Sequence, residues 1–110
     1  MPYIFRTFKP AMERTLIIIP TYNEKENISL VIQSIFSVVH AVDLLFVDDS
    51  SPDGTADEIA KFQTEYQDKI YLLSRAKKEG LGKAYIDGFK WGLDRNYDLL
   101  LNIWGVDHFG

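Results

Sequence analysis

Two apolar runs that do not alternate constrain this chain most. Thr15–Ile19 and Val42–Val47 are rich in Val, Leu, Ile and Phe at consecutive positions. A strand with one wet face alternates polar and apolar residues; a strand apolar on both faces belongs inside a parallel sheet covered by helices. The second run ends in two adjacent carboxylates, Asp48 and Asp49, followed by Ser50-Ser51-Pro52-Asp53-Gly54 and an amphipathic segment from Thr55. That is a buried strand, a tight loop and a helix. In open α/β sheets ligands bind outside the carboxyl ends of the strands, where these carboxylates would stand. Neighbouring carboxylates repel, so one needs a donor or a cation as partner. A nucleotide base or ribose offers donors, and so does the backbone of a turn. The residues leave both readings of Asp49 open.

The rest of the chain repeats the alternation. Pro20 cannot donate to a ladder and is expected to end the first strand. Asn23 is a candidate N-cap, with Glu24 and Glu26 in the first turn. Ile28, Val31, Ile32, Ile35, Phe36, Val38 and Val39 recur at helical spacing. Thr55 and Glu58 match a capping box for a second helix over 56–67. A third strand follows at Ile70–Leu73, then a polar loop with Arg75, Lys77 and Lys78 that closes in Glu79-Gly80-Leu81-Gly82. These basic residues beside glycines suit either a diphosphate or a solvated loop. Lys83–Arg95 reads as a third helix. Its interior Gly88 and Gly92 each cost about 1 kcal/mol relative to Ala, which close packing on the sheet would offset. Asp98–Ile103 is a Leu-rich fourth strand. The order strand, helix, strand, helix, strand, helix, strand predicts a Rossmann-like parallel α/β sheet with helices on both faces. Residues 1–13 have no clear period and read as an N-terminal arm; residues 14–110 form the domain. The P-loop signature is absent, and so is the G-x-G-x-x-G fingerprint after the first strand.

Composition removes several classes of function. A net charge of −4 and a pI near 5.0 argue against a nucleic-acid binder that relies on phosphate contacts. The chain has no cysteine, and its only histidines are His40 and His108, so thiolate and His-based zinc sites are not expected. No apolar run approaches the ~20 residues of a membrane span. The N-terminus lacks a signal-peptide pattern, so the expected location is the cytoplasm.

Three blocks together resemble the family 2 glycosyltransferases of the GT-A fold, and within them the dolichol-phosphate and polyprenol-phosphate mannose synthases. They are Ile19-Pro20-Thr21-Tyr22-Asn23-Glu24, Val47-Asp48-Asp49-Ser50-Ser51-Pro52-Asp53-Gly54-Thr55, and Gly80-Leu81-Gly82-Lys83-Ala84-Tyr85 running into Gly88-Phe89. The resemblance implies the N-terminal, nucleotide-binding half of a GT-A domain. It implies transfer of mannose from GDP-mannose to dolichyl or polyprenyl phosphate, with inversion, at the cytoplasmic face of a membrane. Pro20, Tyr22, Glu24, Val47 and Asp49 match donor-nucleotide contacts of similar enzymes. No residue is singled out as catalytic: a phosphate acceptor is already anionic, so the enzyme's work is positioning and charge neutralisation. The alternatives are a family 2 transferase with a UDP-sugar donor, and a receiver-type signalling domain. In a receiver the acidic pair follows the first strand, whereas here it follows the second.

The resemblance breaks at the end. The family carries Asp-Ala-Asp after the fourth strand, holding Mg²⁺ or Mn²⁺ against the diphosphate. Trp104-Gly105-Val106 stands at that position, and no D-x-D occurs in the sequence. Asp107 beside His108 is a poor substitute, because hard divalent cations want several oxygen ligands. No metal-binding residue is assigned. The expectation is a truncated form, inactive alone, with apolar surface exposed beyond the fourth strand and a tendency to self-associate.

Overall fold

The computed structural model describes residues 13–77 and 79–103. Four parallel strands, β1 (Thr15–Thr21), β2 (Asp43–Asp48), β3 (Ile70–Ser74) and β4 (Leu99–Asn102), form one sheet in the order β3-β2-β1-β4. Between them lie α1 (Ile28–Val38), α2 (Thr55–Glu65) and α3 (Leu81–Asp94). The first two crossovers step one way from β1, and the third returns past β1 to β4, so the topological switch lies between β1 and β4.

The apolar runs have the predicted cause. Ile17, Ile19, Leu44 and Phe46 face one cluster, built with Ile28, Val31, Ile32 and Ile35 of α1 and Ile59 of α2. Leu16, Ile18, Leu45 and Val47 face the other, beneath Ala84, Tyr85 and Phe89 of α3. Period-two geometry sends successive side chains to opposite faces, so helices on both faces require apolar residues at every position. Leu16, Ile18, Leu44, Leu45 and Phe46 are fully buried, each contributing about 1.5–3 kcal/mol. β1 and β2 are thus the fixed base on which the loops at their carboxyl ends rest. Among the described residues β4 pairs only with β1 and is an edge strand, with Leu101 exposed.

Local signals fared unevenly. β1 does not stop at Pro20: it runs on to Thr21, with Pro20 opposite Val47 and Thr21 opposite Asp48. The Ile18 carbonyl accepts from Ile103 N–H, so Ile18 and, two residues on, Pro20 point toward β4. Pairing with β4 ends at Ile18 and Asn102. The absent Pro20 N–H therefore falls just past the last rung, where a strand tolerates proline. Asn23 is not a helix cap. It sits at φ 55 in the left-handed region, and a 3-10 turn, Lys25–Asn27, precedes α1. The capping box is not formed either. Thr55 lies inside α2, and Asp53 Oδ1 accepts from its backbone N–H at 2.9 Å and from its hydroxyl.

The N-terminal arm, save Glu13, and the stretch 104–110 with Asp107 and His108 lie outside the described residues. Among the described residues, no helix is long and apolar enough to cross a membrane.

Candidate functional site

Pro20 and Val47 are neighbours on β1 and β2, both buried, and the chain leaves the sheet just beyond them. Asn23 and Ser50, both at φ 55, turn the two loops sharply after the strands. Three bonds then tie loop to loop. Asn23 N–H donates to Ser51 Oγ at 2.8 Å, Glu24 N–H to Thr55 Oγ1 at 3.0 Å, and Lys25 N–H to Asp53 Oδ2 at 3.2 Å. The first two sequence blocks are thus one built unit. Tyr22, 37% exposed, and the part-buried Glu24 stand on its β1 side. Glu24 Oε2 accepts from Asn27 Nδ2 at 3.0 Å, which fixes its carboxylate over the 3-10 turn. Burial pushes the Asp53 carboxyl up. The bonds from the Thr55 hydroxyl and the Lys25 and Thr55 N–H groups outweigh it and hold Asp53 below the usual range.

The adjacent carboxylates divide their roles. Asp48 is the loop staple: its Oδ1 accepts from Thr21 Oγ1 at 2.7 Å and Ser51 Oγ at 2.6 Å, and its Oδ2 from Ser51 N–H at 3.1 Å. Asp49 takes the cation. Arg75 Nε and Nη2 grip its two oxygens at 2.6 and 2.9 Å, a fork-to-carboxylate geometry. The backbone-capping role open to Asp49 in the sequence belongs to Asp48 instead.

Arg75 also brings in the third block. Its Nη1 lies 3.0 Å from Asp87 Oδ2 and its Nη2 3.3 Å from the Gly80 carbonyl, while Lys83 Nζ meets Asp87 Oδ1 at 3.0 Å. The Asp49 pair, joined by Asp87, holds the Arg75 guanidinium above its already high range. Arg75, with Lys83 behind it, holds the Asp87 carboxyl below the usual one. The backbone closes the same circuit, through Arg75 N–H on the Asp48 carbonyl at 2.8 Å and Ser50 Oγ on the Arg75 carbonyl at 2.5 Å. In the sequence Arg75 is one loop cation beside Lys77 and Lys78. One signal set it apart: it directly follows a strand, level with the ends of β1 and β2. On its other flank an open cleft of about 350 Å³ runs past Leu73, Glu79 and Lys90; none of the five candidate nucleotide contacts lines it.

The described carboxylates at this edge do not fit a divalent cation. Asp49 is committed to Arg75 and Asp48 to three donors, and among the described residues no group of three metal-ligating side chains converges.

The family model for glycosyl transferase family 2 matches residues 16–96, which takes in all three blocks. A polyprenol monophosphomannose synthase of Mycolicibacterium smegmatis is 45% identical over 100 residues, 88% of this chain and 36% of its own length. An undecaprenyl-phosphate mannosyltransferase of Micrococcus luteus is 47% identical over 90 residues, 82% of this chain and 37% of its own. The chain therefore spans little more than a third of these curated relatives. Among solved structures, a mannosyltransferase from Pyrobaculum calidifontis in complex with GDP-Man and Mn²⁺ superposes with a TM-score of 0.66 at 22% identity. That match covers 74% of this chain and 25% of the other, and it bears out the GT-A α/β fold. With the family model matching most of the sequence and both relatives sharing close to half of their aligned residues, the chain belongs to glycosyl transferase family 2.

Proposed function

We propose that residues 14–110 are the donor-nucleotide-binding part of a polyprenyl-phosphate mannosyltransferase. They take the GDP of GDP-mannose at the carboxyl edge of β1 and β2. The observation that carries the reading is convergence: three blocks far apart in sequence are bonded into one rim, with Asp49 fixed at its centre. Pro20 and Val47 form the apolar floor, Tyr22 offers a ring face, and Glu24 and Asp49 accept from base or ribose donors. The names of the relatives support mannose as the sugar and a polyprenyl phosphate as the acceptor; the cytoplasmic surface of a membrane as the place of transfer is part of the same proposal.

The chemistry asks little of these residues beyond holding. The acceptor phosphate arrives anionic, so binding energy goes into bringing its oxygen in line with the anomeric carbon. The rim is suited to this because its loops are bonded to each other. A divalent cation would supply charge neutralisation at the diphosphate; the described residues do not hold one, and the role assigned to them is nucleotide binding.

Thermal unfolding with GDP, UDP and GDP-mannose, each with and without Mn²⁺, tests the reading. A ligand that binds only the folded state stabilises by mass action, about 2.7 kcal/mol at a hundredfold excess over Kd. GDP and GDP-mannose are expected to raise the transition without Mn²⁺, and Asp49→Asn to abolish the shift. A shift with UDP but not GDP would turn the assignment to a UDP-sugar. A cooperative transition that no nucleotide moves would end it.

A further inference from the structure

We infer that Asn27 is a positioning residue for the donor nucleotide: it holds the Glu24 carboxylate by one oxygen and leaves the other for the ligand, which Asn27 itself does not touch. The inference rests on the reading of Glu24 as a nucleotide contact and adds to it the residue that aims that contact.

The four carboxylates bonded into the rim differ in what they have left to offer. Asp48 has both oxygens engaged by Thr21 and Ser51, and Asp49 has both engaged by Arg75. Asp53 accepts from Thr55 on Oδ1 and from Lys25 N–H on Oδ2. In Glu24, Oε2 accepts from Asn27 Nδ2 at 3.0 Å, while among the described residues Oε1 accepts nothing. Glu24 is thus the one of the four that keeps a whole oxygen, with both its lone pairs, for a base or ribose donor.

Asn27 serves this carboxylate rather than the helix. It stands at the N-cap of α1, where Asn ordinarily turns its oxygen to an N–H of the first turn, yet its side chain makes no capping bond. The amide is turned to Glu24 instead. A carboxylate oxygen only accepts, so the NH₂ must face it. The Glu24 main chain is held on both sides as well: its N–H donates to Thr55 Oγ1 at 3.0 Å, and its carbonyl accepts from Asn27 N–H at 2.9 Å. With its backbone fixed and Oε2 tethered, a flexible side chain is ordered before the ligand arrives, and binding is relieved of that entropy cost.

The test measures GDP affinity by calorimetry on the 110-residue chain, with urea midpoints in parallel. Asn27→Asp is the informative variant. Asp suits a helix start as well as Asn and suits the helix dipole better, so α1 is kept. The NH₂ is replaced by an oxygen that repels Glu24. GDP is expected to bind about tenfold more weakly. In a Glu24→Gln background the same substitution is expected to cost nothing or to restore affinity. There the introduced carboxylate accepts from the introduced amide, which turns its remaining oxygen to the ligand, so the bond is re-made with its polarity reversed. An unchanged GDP Kd in Asn27→Asp overturns the inference. So does an equal loss in the Glu24→Gln background, which would come from charge added beside an anionic nucleotide. Glu24→Ala with the parent's Kd overturns it too, while donor binding through Asp49 stands. Should Asn27→Asp not fold, Asn27→Ser keeps a helix-start residue with a hydroxyl too short to reach Glu24; it is expected to weaken GDP, and to cost nothing further beside Glu24→Ala. If the unsubstituted chain binds no nucleotide, the donor-binding reading fails and the role of Asn27 falls with it.

Discussion

The hydroxyl of Tyr85 on α3 donates to the carbonyl of Ile103, one residue beyond β4. In a regular parallel ladder that carbonyl would accept from the N–H of residue 20 on β1, because Ile18 pairs with Asn102 and its carbonyl takes Ile103 N–H. Residue 20 is proline and has no N–H. Tyr85 supplies the donor that Pro20 lacks, and it closes the β1–β4 seam at the topological switch. Tyr85→Phe is therefore expected to cost about 1–3 kcal/mol, the penalty for an unmet polar group. It should also speed hydrogen exchange of the Ile103 amide. A urea midpoint equal to that of the parent would mean that the carbonyl finds another donor.

Gly88 and Gly92 are where α3 lies closest to the sheet. A Cβ on Gly88 would stand 2.6 Å from Ile18 Cγ2, and one on Gly92 2.6 Å from Leu100 Cδ2 and 3.0 Å from Leu16 Cδ2. Ile18 and Leu16 are fully buried and cannot swing away. Helix propensity alone would reward alanine by about 1 kcal/mol. Overpacking works against it at about 1–3 kcal/mol, so Gly88→Ala should be destabilising on balance. Gly82→Ala meets nothing within 4 Å and should instead be neutral or mildly stabilising. Chemical denaturation of the pair checks the sign, and a stabilised Gly88→Ala would show that α3 can lift off the sheet at no cost.

Tyr97 closes the opposite end of the sheet. Its hydroxyl donates to Asp43 Oδ2 at 2.6 Å, the Arg14 guanidinium lies 4.2 Å from its ring centroid, and Trp91 stacks at 6.3 Å. Burial first, then the bond to Asp43, pushes the Tyr97 hydroxyl above the ordinary tyrosine range; burial raises Tyr71 and Tyr85 in the same direction. The sign follows from linkage. A folded-state pKa above the unfolded value stabilises fully below the unfolded value, near pH 10, and that stability is lost as pH rises through the folded one. Stability should therefore fall steeply above about pH 10, and Tyr97→Phe should flatten the fall while lowering stability at neutral pH. Denaturant midpoints across the alkaline range, with phenolate absorbance followed in parallel, test both halves. A parent and a variant with parallel alkaline limbs would remove Tyr97 from the account.

How much of this was legible in the sequence depends on the range of the physics involved. The parallel sheet was, because both-face burial leaves its mark at every position of Leu16–Ile19 and Leu44–Val47. The tight packing of Gly88 and Gly92 was, because interior helical glycines have a cost that something must offset. The rim was legible as three blocks but not as a circuit. Nothing local tells Asp48 from Asp49; the division depends on Thr21 and Ser51 flanking one and Arg75 reaching the other, from 27, 3 and 26 residues away. Pro20 and Asn23 misled for a related reason. Whether a missing N–H matters depends on where the neighbouring strand ends, and whether Asn caps a helix depends on whether the chain needs a left-handed turn first.

The division between the two carboxylates yields the last prediction. Asp48 is 2% exposed and accepts three hydrogen bonds, two on Oδ1 and one on Oδ2. An amide at this position replaces one acceptor oxygen by an NH₂, so in either orientation a donor faces a donor. If the NH₂ takes the Oδ1 place it meets two hydroxyls, which can turn; if it takes the Oδ2 place it meets the Ser51 N–H, which cannot. Asp48→Asn is therefore expected to destabilise by about 1–3 kcal/mol, and Asp48→Ala by more, since the buried Thr21 hydroxyl then loses its acceptor. Ser51→Ala removes the Oδ1 bond and the Asn23 contact together but leaves the Ser51 N–H bond in place, so its cost should fall below that of Asp48→Ala. Urea midpoints order the three variants. Were Asp48→Asn as stable as the parent, the loop after β2 would owe its shape to Arg75 and Thr55 rather than to this carboxylate, and Asp48 would return to the list of residues available to a ligand.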